Sequence, residues 1–302
     1  RLQRLQGLDQ RQDFESKTLG AEILPAQLGG NNLTSESTED LVSDLSINHS
    51  LTELDMSNNQ LRDYGVKRLS EALRNPECKI QRLRLQGNSL TSDYTKELDL
   101  GLSTNRSLTE LNLNDNKLGD CGVKRLCEAL RNPECKIRSL ALGGNNLTAH
   151  CTENLASALS TNHSLSKLDL SNNKLRDYGV RQLCEALKKA EFKVGYTHSV
   201  FCDPCCVSVS LISRLNSNKL TVRCTKAMAS TLIKNPSLTE LNLNNNKLRD
   251  CGVKRLCVAL RNPECKIQSL GYVAHCVSRT VKDRETENER ERPRLRETVR
   301  ER

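Results

Sequence analysis

The stretch LNLNDNKLGDCGVKRLCEALRNPECKI, residues 111–137, returns as LNLNNNKLRDCGVKRLCVALRNPECKI at residues 241–267. Twenty-four of the 27 positions are identical, so the chain holds at least two copies of one unit. Self-similarity of this kind at a fixed interval is the sequence signature of repeat architectures. We therefore interpret the copied stretch as a building block of the fold and not as a duplicated active site.

The pattern L-x-x-L-x-L-x-x-N-x-L recurs between residue 23 and about residue 270. It starts at Ile23, Leu51, Ile80, Leu108, Ile137, Leu165 and Leu238, with a broken copy near Ser210 and a stub at Ile267. Successive starts up to Leu165 lie 28 or 29 residues apart, so the true period is a pair of 57 residues. The single step of 73 residues is 57 plus 16, which indicates one insertion.

Each unit has two parts with different hydrophobic periods. Leu111 and Leu113 alternate with asparagines, and this period of two places the leucines on one face of a short strand. Within residues 123–130 the apolar side chains recur at i, i+3, i+4 and i+7, which is the stripe of an amphipathic helix. Because neither face can be buried inside one unit, the units must stack. The sequence predicts a parallel sheet along one side and helices along the other.

An asparagine stands at the ninth position of the pattern, where the strand ends and backbone groups lose their partners. A short amide side chain can bond such groups in its own turn and in the adjacent turn. We therefore expect these residues to be structural rather than ligand contacts. They are Asn31, Asn59, Asn88, Asn116, Asn145, Asn173, Asn218 and Asn246.

The alternating 28- and 29-residue units, with D-x-G-V-x-x-L-x-x-A-L in every second helix, resemble the leucine-rich repeats of the ribonuclease-inhibitor type. Such repeats occur in ribonuclease inhibitor and at the C-terminal end of NOD-like (NACHT and leucine-rich-repeat) receptors. The resemblance covers roughly residues 23–270. It implies an α/β fold, a curved solenoid or horseshoe with a parallel β-sheet on the concave side and helices on the convex side. It also implies a fragment of a cytosolic receptor of innate immune sensing or signalling, whose ATP-binding module would lie upstream of Arg1.

Breaks in the pattern divide the chain. The predicted segments are a partial repeat or lead-in at 1–22, six repeats at 23–194, an irregular insertion at 195–212, two repeats plus a stub at 213–270, and a charged, disordered tail at 271–302. The insertion contains His198, Cys202, Cys205 and Cys206, a set that could bind zinc or exchange disulfides. No second ligand pair lies nearby, so we expect an extruded loop, with misjoined coding sequence as the alternative.

Composition and motifs exclude several classes of protein. No apolar run approaches the roughly 20 residues that span a bilayer, and no signal peptide is present, so we expect a cytoplasmic chain. Most of the 14 cysteines occupy fixed repeat positions that also accept Ser or Ala, which predicts reduced thiols packed as small hydrophobic residues. Phosphate-loop, G-x-S-x-G and H-E-x-x-H motifs are missing from the sequence. We expect no enzyme, no metal, no cofactor and no small-molecule substrate.

A binding surface remains, on the open face of the sheet. Polar strand residues that alternate with the core leucines form an extended array, and solenoids hold partners on such arrays. We predict a protein partner of unknown identity at Glu53, Asp55, Arg82, Arg84, Glu110, Asn112, Lys167, Asp169, Glu240 and Asn242.

Net charge bears on two alternative functions. An inhibitor of a basic ribonuclease is expected to be acidic with aromatic anchors, whereas this chain carries +9 and no aromatic residue at these positions. The positive charge could instead serve nucleic acid or acidic lipid. Lys124 and Arg125, however, are expected on the solvent side of a helix beside Glu128, so the charge is dispersed and a nucleic-acid partner is not expected.

Overall fold

A computed structural model describes residues 26–47, 50–162, 164–189 and 211–271. In these residues nine strands form one sheet, and each strand pairs in parallel with its neighbours in chain order. The strands are β1 Ala26–Gln27, β2 Glu53–Asp55, β3 Arg82–Arg84, β4 Glu110–Asn112, β5 Ser139–Ala141, β6 Lys167–Asp169, β7 Leu211–Arg214, β8 Leu238–Asn242 and β9 Ser269–Gly271.

Helices alternate with the strands throughout the described ranges. They are α1 Ser37–Ile47, α2 Arg62–Leu73, α3 Thr95–Thr104, α4 Gly119–Arg131, α5 Thr152–Thr161, α6 Arg176–Lys189, α7 Thr225–Lys234 and α8 Arg249–Leu260. Each helix packs against the helices of adjacent units. The predicted α/β solenoid, with its sheet on the concave side and its helices on the convex side, is confirmed. None of these helices combines the length and the apolar character needed to cross a membrane.

The leucine pattern explains the register of the sheet. Leu83 lies opposite Leu54 on one neighbouring strand and Leu111 on the other, and all three are buried. In α4, Cys127 belongs to the buried stripe whereas Lys124 is exposed. Strand and helix thus bury the faces that their periods of two and 3.6 predicted.

The asparagine ladder has the structural role predicted for it. Asn88 is fully buried, and its amide nitrogen donates to the carbonyls of Met56 at 2.9 Å and Leu85 at 3.2 Å. Its Oδ1 accepts from the backbone nitrogen of Leu61 at 3.3 Å. Equivalent amide-to-carbonyl bonds are made by Asn59, Asn116, Asn145, Asn173, Asn218 and Asn246. The ladder therefore supplies partners to buried backbone groups of consecutive turns.

Two strands extend beyond the predicted segment boundaries. β7 begins at Leu211, inside the stretch 195–212 that was assigned to the insertion, and it pairs with β6. β9 ends at Gly271, the first residue of the predicted tail. Backbone hydrogen bonds hold these residues in the sheet, and such bonds do not require the leucine pattern on which the predicted boundaries were based. Outside the described residues lie 1–22, the insertion residues His198, Cys202, Cys205 and Cys206, and 272–302.

Exposure of the cysteines follows their place in the stack. All ten described cysteines are free, and seven are buried, as the repeat positions predicted. The prediction was wrong for Cys121 and Cys251, which are exposed because they lie two residues before the buried helix stripe, on its opposite side. Cys257 of α8 is also exposed. Its equivalent Cys127 is buried because α5 packs against α4, whereas no described helix follows α8.

Candidate partner-binding face

The open face of the sheet carries two rows of side chains that flank the buried leucines. Neighbouring strands lie about 4.8 Å apart, so each side chain can reach the next one along its row. The first row holds Glu53, Arg82, Glu110, Lys167 and Glu240, and the second row holds Asp55, Arg84, Asn112, Asp169 and Asn242. The structure thus brings all ten predicted residues onto one face.

A cluster of ion pairs occupies this face at β2 and β3. Glu53 accepts hydrogen bonds from Nε and Nη2 of Arg82, at 3.1 and 2.8 Å, and another from Arg84. The bonds from Arg82 hold the pKa of the Glu53 carboxyl below its ordinary value, although burial opposes them. Both guanidinium groups stay partly exposed, with 43% and 37% of their side-chain surface accessible, so they remain open to a partner.

Four residues of the second row also bond the backbone. Asp55, Asn112, Asp169 and Asn242 each accept a hydrogen bond from the backbone nitrogen two residues further on, at 2.9 to 3.0 Å. An Asp or Asn that bonds its own backbone in this way shapes the turn after the strand. These side chains therefore have a structural role that the sequence prediction did not assign to them.

Arg214 belongs to the same face and was missed by the sequence prediction. It pairs with Asp169 and Asn242 in the sheet, and its guanidinium lies 3.6 Å from the Asp169 carboxylate. The broken repeat concealed it, because Ser213 stands where the other units have a core leucine. The position directly before Leu215 could have revealed Arg214, since the pattern is regular again from that leucine onward.

A shallow recess of about 210 Å³ lies between the two rows. At its centre β5 contributes Ser139 and Ala141, whose small side chains leave space that longer ones occupy on β3 and β6. The charged residues that line it are Arg82, Arg84, Glu110, Lys167, Asp169 and Arg214. The recess can therefore accept a polar side chain from a partner and pair either sign of charge.

Three charged side chains of the face have no ion-pair partner among the described residues. They are Glu110, Lys167 and Glu240, which lie in one row and alternate in sign. The described strands carry no histidine or cysteine, and the described ranges hold no group of three or more His, Cys, Asp or Glu that could bind a metal. The polar groups that the face offers are charged side chains and amides.

A family model described as Leucine Rich repeat matches residues 48–70, 104–127, 161–184 and 234–257. Each matched stretch contains one strand of the even-numbered series β2, β4, β6 and β8 together with the helix start that follows it. The family model therefore matches once in each pair of repeat units. The chain carries leucine-rich repeats.

Relatives of this leucine-rich-repeat chain are much longer proteins. It is 42% identical over 238 residues to NACHT, LRR and PYD domains-containing protein 3 of Rattus norvegicus, covering 79% of this chain and 21% of that protein. It is 42% identical over 222 residues to NACHT, LRR and PYD domains-containing protein 14 of Homo sapiens, covering 74% and 19%. A solved internalin of Listeria monocytogenes aligns at a TM-score of 0.44 and 18% identity over 77% of this chain and 57% of its own, too weakly for inference.

The chain spans about a fifth of the length of these curated relatives. Its leucine-rich repeats are of the kind found in NACHT, LRR and PYD domains-containing proteins, as the resemblance to NOD-like receptors predicted. The similarity reaches only this share of each relative, so the relatives' other activities do not follow from it.

Proposed function

We propose that the chain is a non-catalytic, protein-binding leucine-rich-repeat module of a cytoplasmic NOD-like receptor involved in innate immune sensing or signalling. The similarity to NACHT, LRR and PYD domains-containing proteins over 79% of the chain supports the receptor assignment. The partner binds the open face of the sheet, at the two rows of side chains that include the ten predicted residues and Arg214.

The observation that carries this proposal is a set of three charges in the first row that form no ion pair with any described residue. Glu110, Lys167 and Glu240 alternate in sign, and the recess lies beside the first two. Charges arranged in this way select a complementary protein surface and speed its association more than they raise raw affinity. A partner that presents a carboxylate to Lys167 and a basic side chain to Glu110 fits the face.

The test uses the chain as bait in a cytosolic extract, with captured proteins identified by mass spectrometry. Lys167→Glu reverses a charge that no described residue pairs, so it should reduce capture of the partner by about tenfold or more without unfolding the chain. Arg82→Glu with Arg84→Glu should do the same. Lys124→Glu is the matched control, because Lys124 is exposed on the convex side of α4.

Loss of capture in Lys124→Glu with retention in Lys167→Glu would place the binding surface on the helices and overturn the assignment. The ribonuclease-inhibitor-like alternative has no support in the geometry. No described strand carries an aromatic side chain that could act as an anchor on the open face.

A further inference from the structure

The turns that follow strands β1 to β8 line one edge of the solenoid. We call this surface the turn edge and define each turn as the residues from the end of a strand to the fourth residue of the next helix: 28–40, 56–65, 85–98, 113–122, 142–155, 170–179, 215–228 and 243–252. Adjacent turns bond directly, as where the backbone nitrogens of Lys117 and Lys247 donate to the carbonyls of Leu90 and Leu220 at 2.7 Å. With strands about 4.8 Å apart, the edge is on the order of 35 Å long.

Charge is divided unequally along the turn edge. The turns after β1 to β4 hold eight carboxylates and three basic residues, a net charge of −5. The turns after β5 to β8 hold seven basic residues and three carboxylates, a net charge of +4. The edge therefore has an acidic half and a basic half of nearly equal and opposite charge.

One repeat position shows the change of sign most directly. Its occupants are Glu36, Asp93, His150 and Arg223, and all four are exposed. In the last three units the backbone nitrogen of this residue donates to the hydroxyl of the threonine two residues earlier, at 3.2 to 3.3 Å. The backbone is thus held in the same way at each of these turns, and only the side chain changes, from aspartate to histidine to arginine.

The basic residues of the turn edge form no ion pairs with the part of the chain that the structure describes. Lys174, Arg176, Lys219, Arg223, Lys247 and Arg249 are exposed, and none of them forms an ion pair with a described residue. In the acidic half, Asp93 is exposed and likewise forms no ion pair among the described residues. These charges are therefore available to a partner that presents the opposite sign.

A second copy of the chain complements both halves at once. If two turn edges meet side by side and run in opposite directions, the acidic half of each copy faces the basic half of the other, which is an isologous contact with two-fold symmetry. A polyanion would match the basic half alone and would be repelled by the acidic half. We propose that two copies of this chain associate antiparallel through their turn edges.

The open face of the sheet stays free in this arrangement, so the inference does not depend on the function proposed above. Sedimentation of the full chain should show a dimer at about 50 mM salt that dissociates as salt approaches about 500 mM, because ions screen exposed charges. The mass should stop at that of a dimer. Growth into larger species with rising concentration would indicate an open head-to-tail contact and overturn the proposal.

Complementary charge reversals give the sharper test. Glu36→Arg with Asp93→Arg changes the net charge of the acidic half from −5 to −1, and Lys219→Glu with Arg223→Glu changes that of the basic half from +4 to zero. Each double variant alone should dimerise much more weakly than the wild type at low salt, since in both contacts of the pair an unchanged half then faces a nearly neutral half. An equimolar mixture should regain much of the dimer, because the unchanged basic half of the first variant then meets the unchanged acidic half of the second.

Circular dichroism and thermal unfolding of each variant establish that it is folded. Lys67→Glu with Lys124→Glu, on the convex side of α2 and α4, is the matched control and should dimerise as the wild type does. A wild-type chain that stays monomeric at low salt, whether or not it binds a polyanion such as heparin, overturns the proposal. So does a mixture of the two double variants that fails to dimerise.

Discussion

Asp177 accepts two hydrogen bonds from Thr221, one from the backbone nitrogen at 2.7 Å and one from the hydroxyl group. The same contact joins Asp63 to Thr91 and Asp120 to Thr148, each 28 residues apart, whereas Asp177 and Thr221 are separated by 44. This aspartate therefore connects α6 to the turn after β7 across the place where the repeat is interrupted.

Replacement of Asp177 should weaken the stack at this junction. Asp177→Ala removes both hydrogen bonds and leaves the part-buried donors of Thr221 without this partner, so we expect the free energy of unfolding to fall by about 2 kcal/mol. Urea denaturation measures this change. Asp250→Ala is the control, because Asp250 occupies the same helix position in α8 but bonds no threonine in the described residues, and its effect should be smaller. Equal losses in both variants would contradict the assigned role.

Acid should destabilise the chain in part through Asp177. Burial acts to raise the pKa of the Asp177 carboxyl. The hydrogen bonds from Thr221 outweigh this effect and hold the pKa below its ordinary value of 3.8. Because the folded pKa is below the unfolded one, the stabilisation is complete well above pH 3.8 and is lost as the pH falls through the folded pKa. Between about pH 5 and 3, the melting temperature of the wild type should therefore fall more steeply than that of Asp177→Asn. Asp250→Asn should keep the wild-type slope, and a wild-type slope in Asp177→Asn would refute the prediction.

A small cavity at β7 offers a stabilising substitution. Ser213 lies between Leu168 and Leu241 in the sheet and lines an apolar cavity of about 30 Å³. Ser213→Leu restores the side chain of the other units, and the added apolar burial should raise the free energy of unfolding by about 1 to 2 kcal/mol. Thermal unfolding provides the measurement. Ser213→Ala, which fills no space, should give a smaller change; a lower melting temperature for the leucine variant would show that the site cannot accommodate it.

Thiol labelling should separate two cysteines that occupy the same position of nearly identical helices. Burial raises the pKa of the Cys127 thiol to about 12, whereas its equivalent Cys257 is exposed. Since the thiolate is the reactive form, iodoacetamide near pH 8 should modify Cys257 and leave Cys127 unmodified until the chain unfolds. Peptide mapping by mass spectrometry distinguishes the two sites. Equal modification rates in the native chain would mean that α5 does not cover Cys127.

The repeating part of the fold was predictable because one physical requirement recurs in every unit. Leucines at alternate positions must face the core, which placed Leu83 opposite Leu54, and buried turns need amide partners, which identified Asn88. The position of the open face followed from the same alternation. Arg214 was not predictable from the leucine pattern, because Ser213 interrupts that pattern and only backbone pairing in three dimensions restores the register.

Roles within the face were harder to predict than positions. Asp55 and Asn112 are polar residues at positions where a partner could contact them. Each also accepts a backbone hydrogen bond that depends on the turn geometry after the strand. The ion pairs of Glu53 with Arg82 and Arg84 join side chains that are 29 and 31 residues apart in sequence. No local pattern encodes such a pairing, since it depends on how the strands align.

The sheet passes from β6 to β7 with paired strands, although Leu168 and Ser213 lie 45 residues apart where Leu140 and Leu168 lie 28 apart. The number of residues between two neighbouring strands can therefore change here without changing the number of strands. Peptide can be added between α6 and β7 without adding a strand to the sheet, so this is the place in the chain where a genetically inserted fluorescent protein or affinity tag should be tolerated best.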